Sequence, residues 1–461
     1  MSSQLMLLIA ASGLASASAL AQNYPLVSTM QDRSYDDRGL VINPAPGQRF
    51  FGQDAQNTRR QSSYLNAPDG LTTLDEVTRL TWVRSADAVG NRNGLVTSDD
   101  KVTFAQATGR VSQMNTERFG GFSDWRLPTV KELYSLIDFR GRTGTSASNA
   151  TPYINSSVFS FAYGDPSRGE RHIDAQYWSS TQYTSTTMVN AATAFGVNFA
   201  DGRIKGYPQT QPTPQSGGGP LRSYAIYVRG NTAYGQNAFV DNANGTITDN
   251  ATDRMWSRAD SSRGMNWEQS LAWVQQKNAE NYLGHNDWRL PDAKQLQSLV
   301  DYSRAPGSTG SPAIDPLFQC TPIVDALGRP DFGYYWSSTT HLDGPADRAG
   351  DFAVYIGFGR GLGWMEMPPG SGQFQLLDVH GAGTQRSDPK AGNPANYPLG
   401  FGPQGDVIGI NNYVRLVRTV PTPSSASVLV LAGMLAARRR RYRTTIAYEP
   451  TPIADTRPRG R

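Results

Sequence analysis

The sequence predicts an α+β protein with two tandem repeat domains, loop-rich and with short antiparallel strands and one or two helices in each domain. A long phrase occurs twice, as GFSDWRLPTVKELYSLID at 121–138 and as GHNDWRLPDAKQLQSLVD at 284–301. The motif YWSST follows each phrase, and each half then ends in a strand-like run that contains Val-Arg. Glycine is abundant, with 46 of 461 residues, and charged residues make up only 18%. This composition is typical of loop-rich extracellular domains rather than of helical cytosolic enzymes.

Each phrase predicts a loop that enters an amphipathic helix. Thr129 and Glu132 have the spacing of a capping box, and Asp292 and Gln295 have the same spacing in the second copy. Apolar residues recur at helical spacing behind both caps and predict one buried face in each helix. These residues are Val130, Leu133, Leu136 and Ile137 in the first copy, and Ala293, Leu296, Leu299 and Val300 in the second.

Strand signals surround the two helices in the same order. Asn244-Gly245 lies between two β-rich runs and predicts a hairpin, and Asp69-Gly70 predicts its counterpart in the first copy. Strand-like runs follow the two YWSST motifs at 195–207 and 351–364, and the closing runs are 224–230 and 412–418. We therefore expect an N-terminal extension at 22–64, domain 1 at 65–230 and domain 2 at 237–420.

Both ends of the chain are typical of an exported protein. Residues 5–14 are apolar and precede the small-residue site Ala19-Leu20-Ala21, which predicts a signal peptide at 1–21 that is cut after Ala21. At the other end, a Pro-rich break and an apolar run precede Arg438–Arg441. This order predicts a sorting or anchor segment at 421–441 with transient membrane contact, followed by a basic tail at 442–461. Cleavage of this segment and its retention as a plain anchor are both open.

The charge distribution disfavours a nucleic-acid partner. The formal net charge is +4, but eight arginines and two acidic residues lie from Pro421 onward, so the rest of the chain sums to −2. A nucleic-acid-binding domain needs a basic face, and the dense arginine run lies instead beside an apolar segment. We expect no nucleic-acid partner.

No motif for catalysis or metal binding stands out. The four histidines are not at metal-binding spacing, and the single Cys320 excludes a Cys-rich zinc site and an intrachain disulfide. GFGRGLG at 357–363 lacks the third glycine of a dinucleotide fingerprint, and DNANGTITD at 241–249 fits a hairpin better than a calcium loop. We expect no enzyme activity, cofactor or metal, and a buried, inert Cys320. Paired carboxylates of a glycan hydrolase stay open as an alternative.

Six of the nine tryptophans pair between the copies, as Trp82 with Trp256, Trp125 with Trp288, and Trp178 with Trp336. Pairing is expected of core aromatic residues, with stacking on a sugar as the alternative. Trp364 has no counterpart and is the better candidate for a ligand platform. The ligand-binding residues that we predict are Trp364, Tyr355, Arg360, Tyr207 and Arg203.

The Asp-Trp-Arg triplets predict structural ion pairs that hold the loop before each phrase helix, with a charged binding cleft as the alternative. The predicted structural signature consists of Asp124, Trp125, Arg126, Trp178, Asp287, Trp288, Arg289 and Trp336.

With these motifs, the two halves resemble the collagen-like adhesin (Lcl) C-terminal domain family. The second copy, about 239–418, carries DNANGTITDNATDRMW, GHNDWRLPDAKQLQSLVD, PAIDPLF and YWSST. The resemblance implies a surface-exposed, non-enzymatic domain akin to C-type-lectin-like folds, with sulfated glycans as ligands of some relatives. A body charge of −2 offers little general attraction to such polyanions.

The C-terminal segment is similar to the PEP-CTERM class of sorting signals, although Thr422 stands where the usual motif has Glu and twenty residues follow the arginines. This resemblance implies an exosortase-type processing enzyme as a partner. We expect a secreted or cell-surface protein of the bacterial envelope, adhesin-like, that recognises a glycan or an extracellular matrix component. A non-catalytic structural protein of the envelope or matrix is the alternative.

Overall fold

The structure repeats one order of elements twice. The computed structural model describes residues 24–57, 60–212, 218–343 and 346–420. The predicted signal peptide, sorting segment and basic tail therefore lie outside the described residues. A short hairpin of β1 (Ser34–Tyr35) and β2 (Val41–Ile42) precedes the repeats. The first repeat contains β3 (Tyr64–Asn66), β4 (Thr72–Asp75), β5 (Leu80–Val83), α1 (Phe104–Thr116), α2 (Val130–Tyr134), β6 (Gln176–Thr187), β7 (Ala191–Asn198), β8 (Arg203–Pro208) and β9 (Val228–Gly230).

The second repeat has the same framework and two additional hairpins. The additional hairpins, β13–β14 and β17–β18, have no counterpart in the described part of the first repeat. Both repeats contain antiparallel strands and two α-helices, which agrees with the predicted mixed α and β composition. The second repeat contains β10 (Phe239–Asp241), β11 (Thr246–Asp249), β12 (Arg254–Ser257), α3 (Trp267–Ala279), α4 (Ala293–Ser298), β13 (Pro322–Val324), β14 (Pro330–Phe332), β15 (Tyr334–His341), β16 (Phe352–Gly357), β17 (Leu362–Glu366), β18 (Phe374–Asp378), β19 (Gln385–Pro389) and β20 (Val417–Thr419).

A four-stranded antiparallel sheet closes each repeat. The first has the order β3-β4-β5-β9 and the second the order β10-β11-β12-β20, so the last strand of each repeat returns to its first hairpin. Trp82 is opposite Val228 in one sheet, and Trp256 is opposite Val417 in the other. The two predicted hairpins are confirmed, with Gly70 and Gly245 at positive φ in their turns. The closing strands are shorter than the predicted runs, because only residues 228–230 of the first run and 417–418 of the second join the sheet, where β20 also includes Thr419.

Both phrase helices begin where the capping boxes predict. Thr129 accepts a hydrogen bond from the backbone N–H of Glu132 (3.2 Å), and the Glu132 carboxylate accepts one from the Thr129 N–H (2.8 Å). Asp292 and Gln295 make the same exchange at 2.8 and 3.2 Å. These caps satisfy backbone donors that would otherwise have no partner in the first turn, which fixes the start of α2 and α4.

A six-stranded antiparallel sheet joins the two repeats. Its order is β15-β16-β19-β8-β7-β6, so three strands come from each repeat and β8 meets β19 in the middle. Ile204 is paired with Gln385 there, and the Thr384 hydroxyl donates to the Ile204 carbonyl at 2.7 Å. The largest hydrophobic core contains residues of both repeats, and the described residues up to Thr419 belong to one compact unit. The sequence-based boundary at 230–237 thus falls inside a continuous core.

Two lysines link the phrase helices of the two repeats. The Lys131 ammonium donates to the Ser298 carbonyl at 2.8 Å, and the Lys294 ammonium donates to the Ser135 carbonyl, also at 2.8 Å. Each lysine of one helix therefore binds the C-terminal end of the other, where the carbonyls lack helical partners. Burial lowers the pKa of both ammonium groups to about 8.

The six paired tryptophans are all buried, which confirms that they belong to the core. Trp125 donates its indole N–H to the Phe119 carbonyl at 2.8 Å, and Trp288 donates to the Tyr282 carbonyl at the same distance. The indole N–H groups of these two tryptophans thus have a backbone acceptor six residues earlier, which holds the loop before each phrase helix in one conformation.

Lys294 is expected to make the stability of the protein depend on pH. Its pKa is about 8 in the folded chain, whereas the pKa of a lysine in an unfolded chain is about 10.4. Between these values the unfolded chain binds more protons, so the free energy of unfolding rises with pH. In Lys294→Met we expect this rise to shrink by about 1–2 kcal/mol in urea denaturation between about pH 8 and pH 10.

Lys277→Met is the matched control, because Lys277 pairs with Glu280 on the surface of α3 at 2.7 Å. We expect this variant to keep the rise of the unmodified protein. An equal rise in Lys294→Met would contradict the assignment of the effect to Lys294.

The isolated second repeat provides a test of the autonomy that the sequence predicts for 237–420. Removing the first repeat leaves β19 without β8 and Lys294 without the Ser135 carbonyl. We therefore expect 237–420 to melt at a lower temperature than 22–420, as followed by circular dichroism. Equal melting temperatures would show that the two repeats are energetically independent.

Candidate functional site

A cleft lies between the two hairpins that distinguish the second repeat. We call it the hairpin cleft; its volume is about 280 Å³, near the lower end of the range for small-molecule sites. The β13–β14 hairpin forms one side and the β17–β18 hairpin the other, and the loop before β20 closes the end. The lining of the cleft includes Asp331, Tyr334, Arg360, Leu362, Trp364, Leu376, Asn412 and Tyr413.

Aromatic rings form much of the cleft wall. Trp364, Tyr334 and Tyr413 are partly exposed, whereas Leu362 and Leu376 are buried beneath them. Tyr334 stacks on the buried Tyr355 with ring centroids 4.5 Å apart and an interplanar angle of 10°. Such partly exposed rings offer a flat apolar surface whose orientation is fixed by packing on one side.

Polar groups lie at the edge of the aromatic wall. The backbone N–H of Arg360 donates to the Asp331 carboxylate at 3.1 Å, and its guanidinium donates to the Pro330 carbonyl at 3.0 Å. Burial raises the pKa of Asp331, and hydrogen bonds from backbone N–H groups oppose this shift. The Asn412 amide donates to Asp388 at 2.9 Å, which fixes its direction. The cleft therefore combines an apolar face with a few oriented polar groups.

Backbone hydrogen bonds hold Trp364 at the cleft. Its N–H donates to the Gly405 carbonyl at 2.8 Å, and the Val407 N–H donates to the Leu362 carbonyl at 3.0 Å. Gly405 has φ +58°, and a Cβ there would lie 2.2 Å from the Trp364 carbonyl oxygen. Only glycine allows this close approach of the two backbones.

The sequence-predicted ligand residues are divided between the cleft and the sheet. Trp364 and Arg360 line the cleft, and Tyr355 lies behind its wall under Tyr334. Arg203 and Tyr207 lie on β8, away from the residues that line the cleft. Tyr334 and Tyr413 were not predicted from the sequence, although Tyr334 directly precedes YWSST and Tyr413 lies in the closing run 412–418.

A buried network of charges surrounds Arg203 in the middle of the shared sheet. Arg203 forms ion pairs with Asp343 and, at 3.4 Å, with Asp201, which also binds Lys205 at 2.7 Å. Burial lowers the pKa of Lys205 to about 7 despite its carboxylate partner. Burial also disfavours the charged form of the Tyr207 hydroxyl and therefore raises its pKa. These charges compensate one another within the sheet, which makes a structural role the simpler interpretation.

The Asp-Trp-Arg triplets make ion pairs, but with other partners than the triplet arginines. Asp124 binds Arg229 at 2.6 Å, and Asp287 binds Arg418 at 2.6 Å. In the first repeat, Arg126 pairs instead with Glu132. The aspartate of each triplet thus fastens its loop to the Val-Arg closing strand of the same repeat.

The structure also bears on metals, membranes and Cys320. Within the described ranges, no group of three or more His, Cys, Asp and Glu side chains is placed to hold a metal ion. No helix in the part of the chain that the structure describes is long and apolar enough to cross a membrane. Cys320 is a partly buried free thiol, its pKa is raised by burial, and Arg415 donates to its sulfur at 3.5 Å.

The family model of the Lcl C-terminal domain matches residues 71–214 and 245–370, more than half of the chain. The chain belongs to the Lcl C-terminal domain family. Two Lcl C-terminal segments in tandem agree with the repeats of the sequence, and the second segment includes Arg360 and Trp364. The comparisons with curated proteins and with solved structures found no match.

Gly405→Ala is expected to disturb the hairpin cleft. The added methyl group clashes with the Trp364 carbonyl at positive φ, so we expect a loss of about 1–3 kcal/mol in the free energy of unfolding. Gly402→Ala is the matched control, because Gly402 also has positive φ (+75°) but nothing lies within 4 Å of its Cβ position. Chemical denaturation, followed by tryptophan fluorescence, compares the two variants, and an equal loss in both would contradict the steric explanation.

Proposed function

We propose that the protein is a secreted or cell-surface binding protein, adhesin-like and without catalytic activity, that recognises a glycan through the hairpin cleft. The observation that carries this proposal is the partly exposed aromatic wall of Trp364, Tyr334 and Tyr413 beside oriented polar groups. The apolar face of a sugar ring can stack on such a wall. The hydroxyl groups of the sugar can exchange hydrogen bonds with the polar groups at the edge of the wall.

The position of the cleft supports a recognition role. Both hairpins that form it are additions to a framework that the two repeats share. Surface segments carried by a rigid scaffold are the usual place for binding residues. The net charge of −2 before Pro421 favours an uncharged glycan over a sulfated one. A glycan-bearing component of an extracellular matrix would present the same sugar groups to the cleft.

The type of fold, the route of export and the processing of the C-terminal segment belong to the same proposal. A C-type-lectin-like fold, export by a signal peptide and processing by an exosortase-type enzyme all suit a protein that works outside the cell. The alternative, a structural envelope or matrix protein, has one observation in its favour. Apolar side chains are exposed near the cleft, including Val324 (67%), Leu327 (54%) and Phe401 (51%), and such patches are typical of contacts with other proteins.

A glycan array with residues 22–420 tests the proposal. We expect binding to a defined set of glycans, and we expect Trp364→Ala to weaken it by about tenfold or more, since one stacked aromatic ring contributes on the order of 1.4 kcal/mol or more. Trp273→Ala is the matched control, because Trp273 is also partly exposed but lies on α3.

Equal binding by Trp364→Ala and the unmodified chain would remove the hairpin cleft as the site. No binding to any glycan on the array would favour the structural alternative.

A further inference from the structure

A second cavity lies between the two repeats. It has a volume of about 390 Å³ and is lined by Lys131 and Thr181 from the first repeat, and by Phe239, Asp301, Tyr302 and Asp315 from the second. We call it the junction pocket. It shares no lining residue with the hairpin cleft, so its function is a separate question.

The internal repeat provides a comparison for this pocket within the same molecule. Thr181 accepts a hydrogen bond from the first N–H of α2 at 3.0 Å, as Thr339 does from the first N–H of α4 at 3.0 Å. Lys131 corresponds to Lys294 in the phrase, and Tyr302 corresponds to Phe139 one residue after it. The counterpart of the junction pocket is therefore the groove around Thr339, Lys294 and Phe139.

The N-terminal extension fills that counterpart groove. The Thr29 carbonyl accepts from the Phe139 N–H at 2.8 Å, and the Ser28 carbonyl accepts from Lys294 at 2.8 Å. Asp54 accepts from the hydroxyls of Thr339 and Thr29, each at 2.6 Å. A peptide segment and one carboxylate thus accept hydrogen bonds from the Phe139 N–H, the Lys294 ammonium and the Thr339 hydroxyl.

In the junction pocket these donors are only partly used. Lys131 donates to the Gly235 carbonyl at 3.2 Å and to the Asn237 side chain at 2.9 Å, so the linker between the repeats takes the place of Ser28. No described residue takes the place of Thr29 or Asp54. Among the described residues, the Tyr302 N–H and the Thr181 hydroxyl have no acceptor.

The charges of the two sites differ. Asp138 in the filled groove pairs with Arg140 at 2.5 Å, but Ser303 stands in the position of that arginine in the second repeat. Among the described residues, the Asp301 carboxylate accepts hydrogen bonds only from the N–H and the hydroxyl of Ser303, both through one oxygen. Asp315 adds a second carboxylate to the lining. A positively charged side chain of an occupant would therefore replace the missing arginine.

We propose that the junction pocket binds an extended basic peptide segment, whose backbone carbonyl accepts from the Tyr302 N–H and whose Lys or Arg side chain pairs with Asp301 and Asp315. The rings of Tyr302 and Phe239 provide an apolar surface for the methylene groups of that side chain. The unused Thr181 hydroxyl gives the segment a further polar contact, as Thr339 gives Asp54 in the filled groove.

Labelled heptapeptides test this proposal by fluorescence anisotropy with residues 22–420. The basic probe copies 25–31 of this chain, the segment that fills the counterpart groove, with Ser28→Lys and Met30→Lys; the acidic probe carries Glu at both positions. We expect the basic probe to bind at least about tenfold more tightly than the acidic probe, because opposite charges meet in a partly buried site.

The double variant Asp301→Asn, Asp315→Asn keeps the shape of both side chains and is expected to lose this preference. Trp273→Ala is the control and is expected to retain it. Equal affinity of the two probes for the unmodified chain, or a preference that survives in the double variant, would overturn the proposal. The same double variant is expected to keep any glycan binding. Failure of the peptide test therefore leaves the proposed glycan binding untouched, and failure of the glycan array leaves the proposed peptide binding untouched.

Discussion

The arrangement of the two repeats depends on the reciprocal contact of two lysines. Lys131 and Lys294 each reach from one phrase helix to the final carbonyls of the other, at Ser298 and Ser135. A buried ammonium group is stable only where acceptors surround it, so these two contacts allow few alternative placements of the helices. The six-stranded sheet then continues across the same junction, where β8 meets β19. The helix contacts and the shared sheet together fix the position of one repeat relative to the other.

The second polar element at the junction is the charge network of the shared sheet. Arg203, Asp201 and Asp343 compensate one another where little water is available, and hydrophobic residues of similar volume would often stabilise a core as well. The network instead favours one pairing of β8 with β19, because any shift of register would separate its charges. Arg203, which the sequence predicted as a ligand-binding residue, is thus engaged in ion pairs of this network, and the predicted Tyr207 lies on the same strand.

Differences between the repeats coincide with the two candidate sites. The hairpin cleft is formed by β13–β14 and β17–β18, which only the second repeat has within the described residues. The junction pocket is open where the N-terminal extension fills the corresponding groove on the other side. The duplication therefore provides the same framework twice. The added hairpins leave exposed aromatic rings at the hairpin cleft, and the different filling of the two grooves leaves unused hydrogen-bond donors at the junction pocket.

The sequence by itself determined the features that arise from neighbouring residues. The capping boxes at Thr129 and Asp292, the two hairpin turns and the buried paired tryptophans follow from local hydrogen bonding, turn chemistry and the pairing of motifs. It also predicted Trp364 as a ligand platform, because this residue lacks a counterpart in the other copy, and the structure places it at the hairpin cleft. The tertiary structure alone decided the partners of distant groups. Asp124 and Asp287 form ion pairs with the arginines of the closing strands, and Tyr334 and Tyr413 line the same cleft. The two repeats, which the sequence predicted as separate domains, share a sheet and a core. These outcomes depend on contacts between residues far apart in the chain, whose geometry no local pattern specifies.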